Sequence, residues 1–215
     1  MSHSSRPLTE RDEAILVTLA EKVRCLSLQQ IAGYWWNDCR RPRETARGRL
    51  RELDSLGWVE LHQVFARPLI DLTEALARWR EGDAPPNFAA ISHVLKNRFK
   101  EPAKATPVAI ASRQTGKRYG CPAGRSPRRS EATHDLGLAS VYLHFLRNEP
   151  AWAEAWISEA RLIAAGEGRA SKLADALVRT PSGETVIEFG GEYGKAKLEA
   201  FHEDCAERGR SYELW

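Results

Sequence analysis

Residues 40–58 read RRPRETARGRLRELDSLGW and carry the clearest pattern in the 215-residue chain. Six arginines lie between residues 40 and 51. An apolar stripe with spacings of three and four consists of Ala46, Leu50, Leu53 and Leu56. This combination predicts a helix over 41–56 that buries one face in its own domain and carries guanidinium groups on the other. Gly57 is typical of the residue that follows a helix. Apolar and polar side chains alternate over residues 58–64, which predicts a strand.

The flanking sequence predicts a small domain over residues 8–80. Thr9 is a plausible cap of a first helix, and Ser27 of a second, short one. After the strand, a turn near residues 66–68 leads to a returning strand over 69–72, and a further helix starts at Thr73. Three helices followed by a hairpin is the plan of a winged helix-turn-helix, and the sequence from Leu50 to Glu60 resembles the junction between its recognition helix and its wing.

The arginine-rich helix makes DNA binding the first hypothesis, because guanidinium groups neutralise phosphates and release condensed counterions. In a winged helix the third helix enters the major groove, and Arg67 at the hairpin tip is the expected contact of the wing. The predicted contacts of the helix itself are Arg40, Arg41, Arg43, Thr45, Arg47 and Arg51. A solvated charged face and a protein-interaction module are the alternatives.

Charge is unevenly distributed along the chain, although its net value is only +3. Residues 85–131 hold 10 Lys and Arg against 2 Asp and Glu, whereas residues 132–215 hold 9 against 14. The basic region includes a Gly-, Pro- and Arg-rich segment over 112–130 that predicts a long loop. Lys117 and Arg118 in it are candidate backbone contacts, and a merely solvated loop is the alternative.

Residues 88–215 predict a second domain of the α/β type with a small mixed sheet, so the chain as a whole belongs to the α+β class. A helix is expected over 88–99 and a short strand over 107–111. Two strands, 175–179 and 185–189, form a hairpin through the turn at 181–184. A helix over 195–207 and a final strand over 212–215 complete the domain.

An acidic group in this domain resembles the site of PD-(D/E)xK nucleases. The resemblance implies that Asp175 and Glu188 bind Mg²⁺ and that Glu159 completes the ligand shell. The lysine that positions the attacking water would be Lys195 or Lys197, which reach back from the following helix. Carboxylates are the ligands that Mg²⁺ prefers. Two positions depart from the pattern, since Ala174 stands where the family has Pro and Gly190 where it has Lys. The alternative is that both strand carboxylates are remnants or ordinary hairpin residues.

The order of these motifs along most of the chain resembles the replication-relaxation family of bacterial plasmid and mobile-element proteins. The motifs are the basic helix, residues 133–136 (THDL), Trp156 with Glu159, residues 175–178 (DALV) and residues 186–188 (VIE). The resemblance implies a winged helix followed by a PD-(D/E)xK-like domain, and a role in mobile-element DNA transactions.

The sequence therefore predicts a DNA-binding regulator of transcription, replication or transfer, with double-stranded DNA as its partner, a homodimer as a possible state and no cofactor. The alternatives are a Mg²⁺-dependent nuclease and a protein-interaction adaptor. No apolar run of membrane-spanning length and no secretory signal occur, which predicts a cytoplasmic protein. His134 and Asp135 are predicted to have a structural role. The glycines at 190, 191 and 194 predict a tight turn with positive φ.

Overall fold

The computed structural model describes residues 7–122, 124–167, 173–181 and 183–215. It shows a mixed α/β fold that divides into two compact units, each built from separate stretches of chain. The first unit runs to Ala66 and resumes over Lys104–Ala139. The second comprises Arg67–Ala103 and Ser140–Trp215. These limits differ from the boundaries 8–80 and 88–215, because the strand Lys104–Ala111 returns to the sheet of the first unit after residues 67–103.

The helices follow the apolar spacing of the sequence. They are α1 (Glu10–Val17), α2 (Leu28–Trp35), α3 (Pro42–Ser55), α4 (Phe88–Asn97), α5 (Arg113–Tyr119), α6 (Ala132–Asn148), α7 (Pro150–Ala155), α8 (Glu159–Ala164) and α9 (Lys195–Glu207). Capping boxes at Thr9 and Ser27 confirm the predicted starts of the first two helices. A π-helical turn, Thr18–Lys22, extends α1.

The strands form two sheets. They are β1 (Leu26–Ser27), β2 (Val59–Ala66), β3 (Ala77–Trp79), β4 (Lys104–Ala111), β5 (Trp156–Ser158), β6 (Ala176–Thr180), β7 (Gly183–Glu188) and β8 (Ser211–Leu214). The sheet of the first unit has the order β1-β4-β2 with antiparallel neighbours. That of the second unit has the order β3-β8-β7-β6-β5 and is mixed, since only β7 and β8 are parallel among these neighbours.

The partner of β2 is β4 and not the predicted strand over 69–72, so that prediction is wrong. The physical reason is burial. Residues 108–111 of β4 are uncharged and buried, as a central strand requires, whereas Asp71 interrupts the other run. Pro107 is tolerated because only β2 pairs with β4 at that position.

Two further local predictions are wrong. Residues 73–79 do not form a helix, because β3 pairs with β8 and Trp79 stacks on Tyr212 with ring centroids 5.6 Å apart. The segment 112–130 is not one long loop, since Ser112 caps α5 within it. In the first case contacts with residues distant in sequence outweigh local propensity, and in the second a local capping residue starts a helix within the segment.

The second unit packs α4 and α9 on its sheet. Its core combines aliphatic and aromatic side chains, which include Trp79, Leu95, Leu177, Leu198, Tyr212 and Leu214. The predicted hairpin of β6 and β7 and the predicted helix α9 are confirmed. Ser182, within the predicted hairpin turn, lies outside the described residues.

None of the helices in the described part of the chain combines the length and the apolar character that crossing a membrane requires.

Candidate nucleic-acid interface

Helix α3 is fixed in the first unit by one apolar face. Ala46, Leu50 and Leu53 are buried, as their spacing predicted. Pro42 occupies the first turn, where its missing N–H costs no hydrogen bond. The helix ends at Ser55, and Gly57, just beyond the cap residue Leu56, has a φ of 77°, the left-handed conformation that glycine adopts readily. The chain then enters β2, and the Asp54 carboxylate accepts a hydrogen bond from the Leu61 backbone N–H at 3.3 Å.

One arginine of this segment has a structural role. The Arg49 guanidinium donates to both carboxylate oxygens of Asp12, at 3.0 and 2.6 Å, and also pairs with Glu52 at 2.6 Å. The Asp12 side chain is only 1% exposed and that of Arg49 12%. Burial alone would raise the pKa of Asp12, but the hydrogen bonds from Arg49 and Thr9 outweigh it and hold that pKa below its usual value. This pair fastens α3 to α1.

A second arginine is paired at the surface. Arg41 contacts Glu44 at 3.3 Å, and both side chains are well exposed. Thr45 lies on the exposed side of α3, where its hydroxyl donates to the Arg41 carbonyl at 3.0 Å. The hydroxyl oxygen keeps lone pairs that can accept a further hydrogen bond.

Four arginines remain available to a ligand. Arg40, Arg43, Arg47 and Arg51 are exposed, and within residues 7–122, 124–167, 173–181 and 183–215 none of them forms an ion pair. Arg43, Arg47 and Arg51 follow one another at intervals of four and therefore lie along one side of the helix. The acidic residues of α3 form their ion pairs and hydrogen bonds with other groups. Those partners are Arg41 for Glu44, Arg49 for Glu52 and the Leu61 amide for Asp54.

The predicted wing contact, Arg67, is not at the tip of a hairpin. It belongs to the second unit, where its guanidinium donates to the carbonyls of Phe99 and Glu101 at 3.0 and 3.2 Å. It also lies 3.6 Å from the Glu192 carboxylate. The prediction of its position is wrong because β2 continues to Ala66 and pairs with β4 instead of turning back. Through these contacts Arg67 stabilises the second unit.

The predicted contacts Lys117 and Arg118 lie on α5 and differ in their surroundings. Lys117 is exposed. Arg118 pairs with Glu13 at 2.6 Å and covers the Trp58 ring at 5.6 Å, so much of its charge is balanced within the first unit. Of the two, Lys117 is better placed to contact a phosphate.

The carboxylates of the β6–β7 hairpin already accept hydrogen bonds from protein groups. The register places residue 176 opposite 187, so Asp175 and Glu188 are cross-strand neighbours. Asp175 accepts from the Phe189 amide at 2.8 Å, and the buried Glu188 accepts from the Tyr193 hydroxyl at 2.9 Å. Burial raises the pKa of Tyr193, and the charges of Glu188 and Asp175 raise it further. Tyr193 was not predicted, and no sequence motif marks it.

The other predicted nuclease residues, Glu159 and Lys195, are the first residues of helices α8 and α9. Lys195 is exposed and pairs with Glu199 at 3.3 Å, and Glu159 begins α8, where its backbone N–H donates to the Asp175 carbonyl. The ammonium of Lys197 lies 3.3 Å from the centroid of the Tyr193 ring. Among the residues that the structure describes, no three His, Cys, Asp or Glu side chains are grouped so that they could hold a metal ion.

Two other sequence features have structural explanations. Asp135 is buried and accepts from Arg24 at 2.9 Å, while His134 lies 3.7 Å from it. Gly190 does not adopt the positive φ that the sequence predicted. A Cβ there would lie 2.7 Å from a methyl carbon of the buried Leu95, so this glycine permits close packing of α4.

No protein-family model matches this chain, and neither a curated protein nor a solved structure matches it.

Proposed function

We propose that the first unit is a winged helix-turn-helix that binds double-stranded DNA with α3 in the major groove. The order α1, β1, α2, α3, β2, β4 and the sheet order β1-β4-β2 support this interpretation. The observation that carries it is the row of exposed arginines on α3 that lack carboxylate partners among the described residues.

The comparison within α3 favours a ligand over a merely solvated face. The protein pairs Arg49 and Arg41 with its own carboxylates but leaves four neighbouring guanidinium groups uncompensated. Crowding such cations on one segment is unfavourable for the isolated protein, and a polyanion relieves the repulsion. The proposed role is regulation of transcription, replication or transfer on a mobile element, which the resemblance to the replication-relaxation family supports. A homodimer that binds two half-sites is part of this proposal.

Fluorescence anisotropy with a random duplex over a series of salt concentrations tests the proposal. The Arg43→Ala/Arg47→Ala variant should lower the slope of log K against log salt by about 2 if each arginine contacts one phosphate. The matched control is Arg80→Ala/Lys96→Ala, which removes two exposed cations from the second unit and should leave the slope unchanged.

Two results would overturn DNA binding. One is a wild-type protein that does not bind duplex at low salt, which leaves the protein-interaction adaptor. The other is equal weakening by the α3 variant and by the control, which indicates a general charge effect.

The nuclease alternative has less support. The second unit shares a β-hairpin, a following helix and a mixed sheet with the PD-(D/E)xK plan, which fits a degenerate domain of that kind. Its carboxylates already accept hydrogen bonds from a backbone amide and a tyrosine. We therefore assign DNA binding to the first unit and no catalytic step to the second.

A further inference from the structure

The outer edge of β2 has no further strand beside it in the part of the chain that the structure describes. The sheet of the first unit has the order β1-β4-β2, so β2 pairs with β4 on one side only. The strand is 8 residues long. Such an edge can accept another strand, because its outward N–H and C=O groups are not used by the sheet.

The register shows which residues of β2 direct their backbone groups to this outer edge. Gln63 opposes Pro107, which has no N–H to donate, and this indicates a pair that exchanges no hydrogen bonds. Bonded and non-bonded pairs alternate in an antiparallel ladder, so Leu61, Gln63 and Phe65 all direct their backbone groups outward. The amide of Leu61 agrees with this direction, since it donates to the Asp54 carboxylate at 3.3 Å.

Asp54 leaves only the far half of the edge open. Its carboxylate occupies the amide of Leu61, whereas across residues 7–122, 124–167, 173–181 and 183–215 no group outside the sheet accepts from Gln63 or Phe65. Exposed strand edges are commonly protected by Lys, Pro or a charge that points inward. Residues 62–66 (HQVFA) contain no Lys, no Pro and no carboxylate, so the sequence does not protect this half.

The side chains at the open half also favour a protein partner. Gln63 is exposed, and the Phe65 side chain is 51% exposed beside it. Neither residue is charged. A large apolar ring next to unused backbone amides matches the way in which one strand adds to the edge of another sheet, where the main chain supplies hydrogen bonds and side chains supply contact area.

A second copy of this chain fits the open half. Two copies of β2 can pair antiparallel about a two-fold axis at Val64, so that Gln63 of each copy opposes Phe65 of the other. Both residues direct their backbone groups outward, so each opposed pair exchanges both of its hydrogen bonds. The two Phe65 rings become diagonal neighbours within contact distance, and no like charges oppose one another. An axis closer to Leu61 would require its amide to leave Asp54.

We infer that the outer edge of β2 is a dimer interface, where Gln63 and Phe65 of two copies pair and join their sheets. This inference rests on the proposed function, because it names the surface that assembles the homodimer for two half-sites. The two-fold axis of an antiparallel pair is perpendicular to the sheet and keeps each element on its own side of it. The α3 arginines of both copies can therefore face the same duplex.

Sedimentation velocity of the full chain over a series of concentrations tests the interface. Gln63→Pro removes an outward N–H and leaves the hydrogen bonds between β2 and β4 intact, so it should convert the dimer to a monomer. Gln63→Ala is the matched control, because it shortens the side chain but keeps the N–H, and it should dimerise as the wild type does. A wild type that stays monomeric at high micromolar concentration, or equal behaviour of the two variants, would overturn the inference.

A second variant keeps the backbone of β2 unchanged. Phe65→Lys should raise the dissociation constant of the dimer by at least about tenfold, because it removes the ring contact and brings two like charges together across the axis. The control Val94→Lys places the same charge at a side chain that is 45% exposed on α4 of the second unit, and it should dimerise as the wild type does. Unchanged dimerisation of Phe65→Lys would place the interface elsewhere.

Hydrogen exchange tests the register. A higher protein concentration should slow exchange of the Gln63 and Phe65 amides and leave that of Leu61 unchanged, because Leu61 already donates to Asp54. Concentration-independent exchange at Gln63 and Phe65 would contradict the pairing.

Duplex binding by the same variants separates this inference from the proposed function. Arg43→Ala/Arg47→Ala should dimerise normally and lose duplex binding, whereas Gln63→Pro should still bind duplex through a single α3. A dimer that Gln63→Pro dissociates but that binds no duplex keeps the interface and removes DNA binding. A monomeric wild type whose duplex binding depends on Arg43 and Arg47 keeps DNA binding and removes the interface.

Discussion

The arginines of α3 and the carboxylates of the β6–β7 hairpin differ in whether other groups of the protein already bind them. Arg43, Arg47 and Arg51 are exposed along one side of a helix, whereas Asp175 and Glu188 accept hydrogen bonds from Phe189 and Tyr193. A binding site needs groups that a ligand can reach. The arginines of α3 meet that requirement, whereas the hairpin carboxylates already accept hydrogen bonds from protein groups.

The largest expected effect sharpens this contrast within α3. Arg49→Ala should lower the free energy of unfolding by about 3 kcal/mol, because it leaves the buried Asp12 carboxylate without its cation. Arg47→Ala should change it by less than about 0.5 kcal/mol, since that side chain is exposed. Urea denaturation of both variants measures the difference. Similar losses of unfolding free energy in the two variants would contradict the distinction between a structural Arg49 and an exposed Arg47.

A smaller effect is expected in the acidic group. Tyr193→Phe should destabilise the second unit by about 1.5 kcal/mol, because the buried Glu188 loses a hydroxyl donor. Lys195→Ala should cost less than about 0.5 kcal/mol, since its pair with Glu199 is exposed. Thermal unfolding monitored by calorimetry compares the two variants. A stable Tyr193→Phe variant would indicate that Glu188 does not depend on this contact.

The smallest expected effect concerns metal. Adding Mg²⁺ or Mn²⁺ in the millimolar range should not raise the midpoint of thermal unfolding and should not cause cleavage of an added duplex, because the Asp175 and Glu188 carboxylates already accept hydrogen bonds from the Phe189 amide and the Tyr193 hydroxyl. A bound ion would raise the midpoint by mass action. A rise in the thermal midpoint, or cleavage of the duplex, that Asp175→Ala abolishes would contradict the contrast between the two groups. Either result would support the nuclease alternative.

Local patterns in the sequence predicted much of the helical structure. The stripe on α3 and the capping residues Thr9 and Ser27 have their signals within a few positions. The exposed row of arginines follows from the same spacing, since a helix that buries Ala46 and Leu50 must turn Arg47 outward. These features depend on neighbours in the chain and can therefore be predicted from the sequence.

Pairings between residues distant in sequence could not be predicted from such local patterns. Arg49 looks like its neighbours in the sequence, and only the proximity of Asp12, 37 positions earlier, distinguishes it. The true partner of β2 is β4, which begins 38 positions after β2 ends and follows a run that also looks like a strand. Tyr193 follows Glu188 by five positions but contacts it only because of the path between β7 and α9.

The interleaving of the two units affects how the protein can be made and divided. The first sheet is complete only when residue 111 has been synthesised, and the second needs β8, which lies between β3 and β7 and ends at Leu214. A fragment ending at residue 80 leaves β2 without β4 and exposes the apolar edge of an unpaired strand, which favours aggregation. A chain of residues 7–66 and 104–139, with Ala66 joined to Lys104 through a short turn, preserves the pairing of β2 with β4 and is the better way to isolate the first unit.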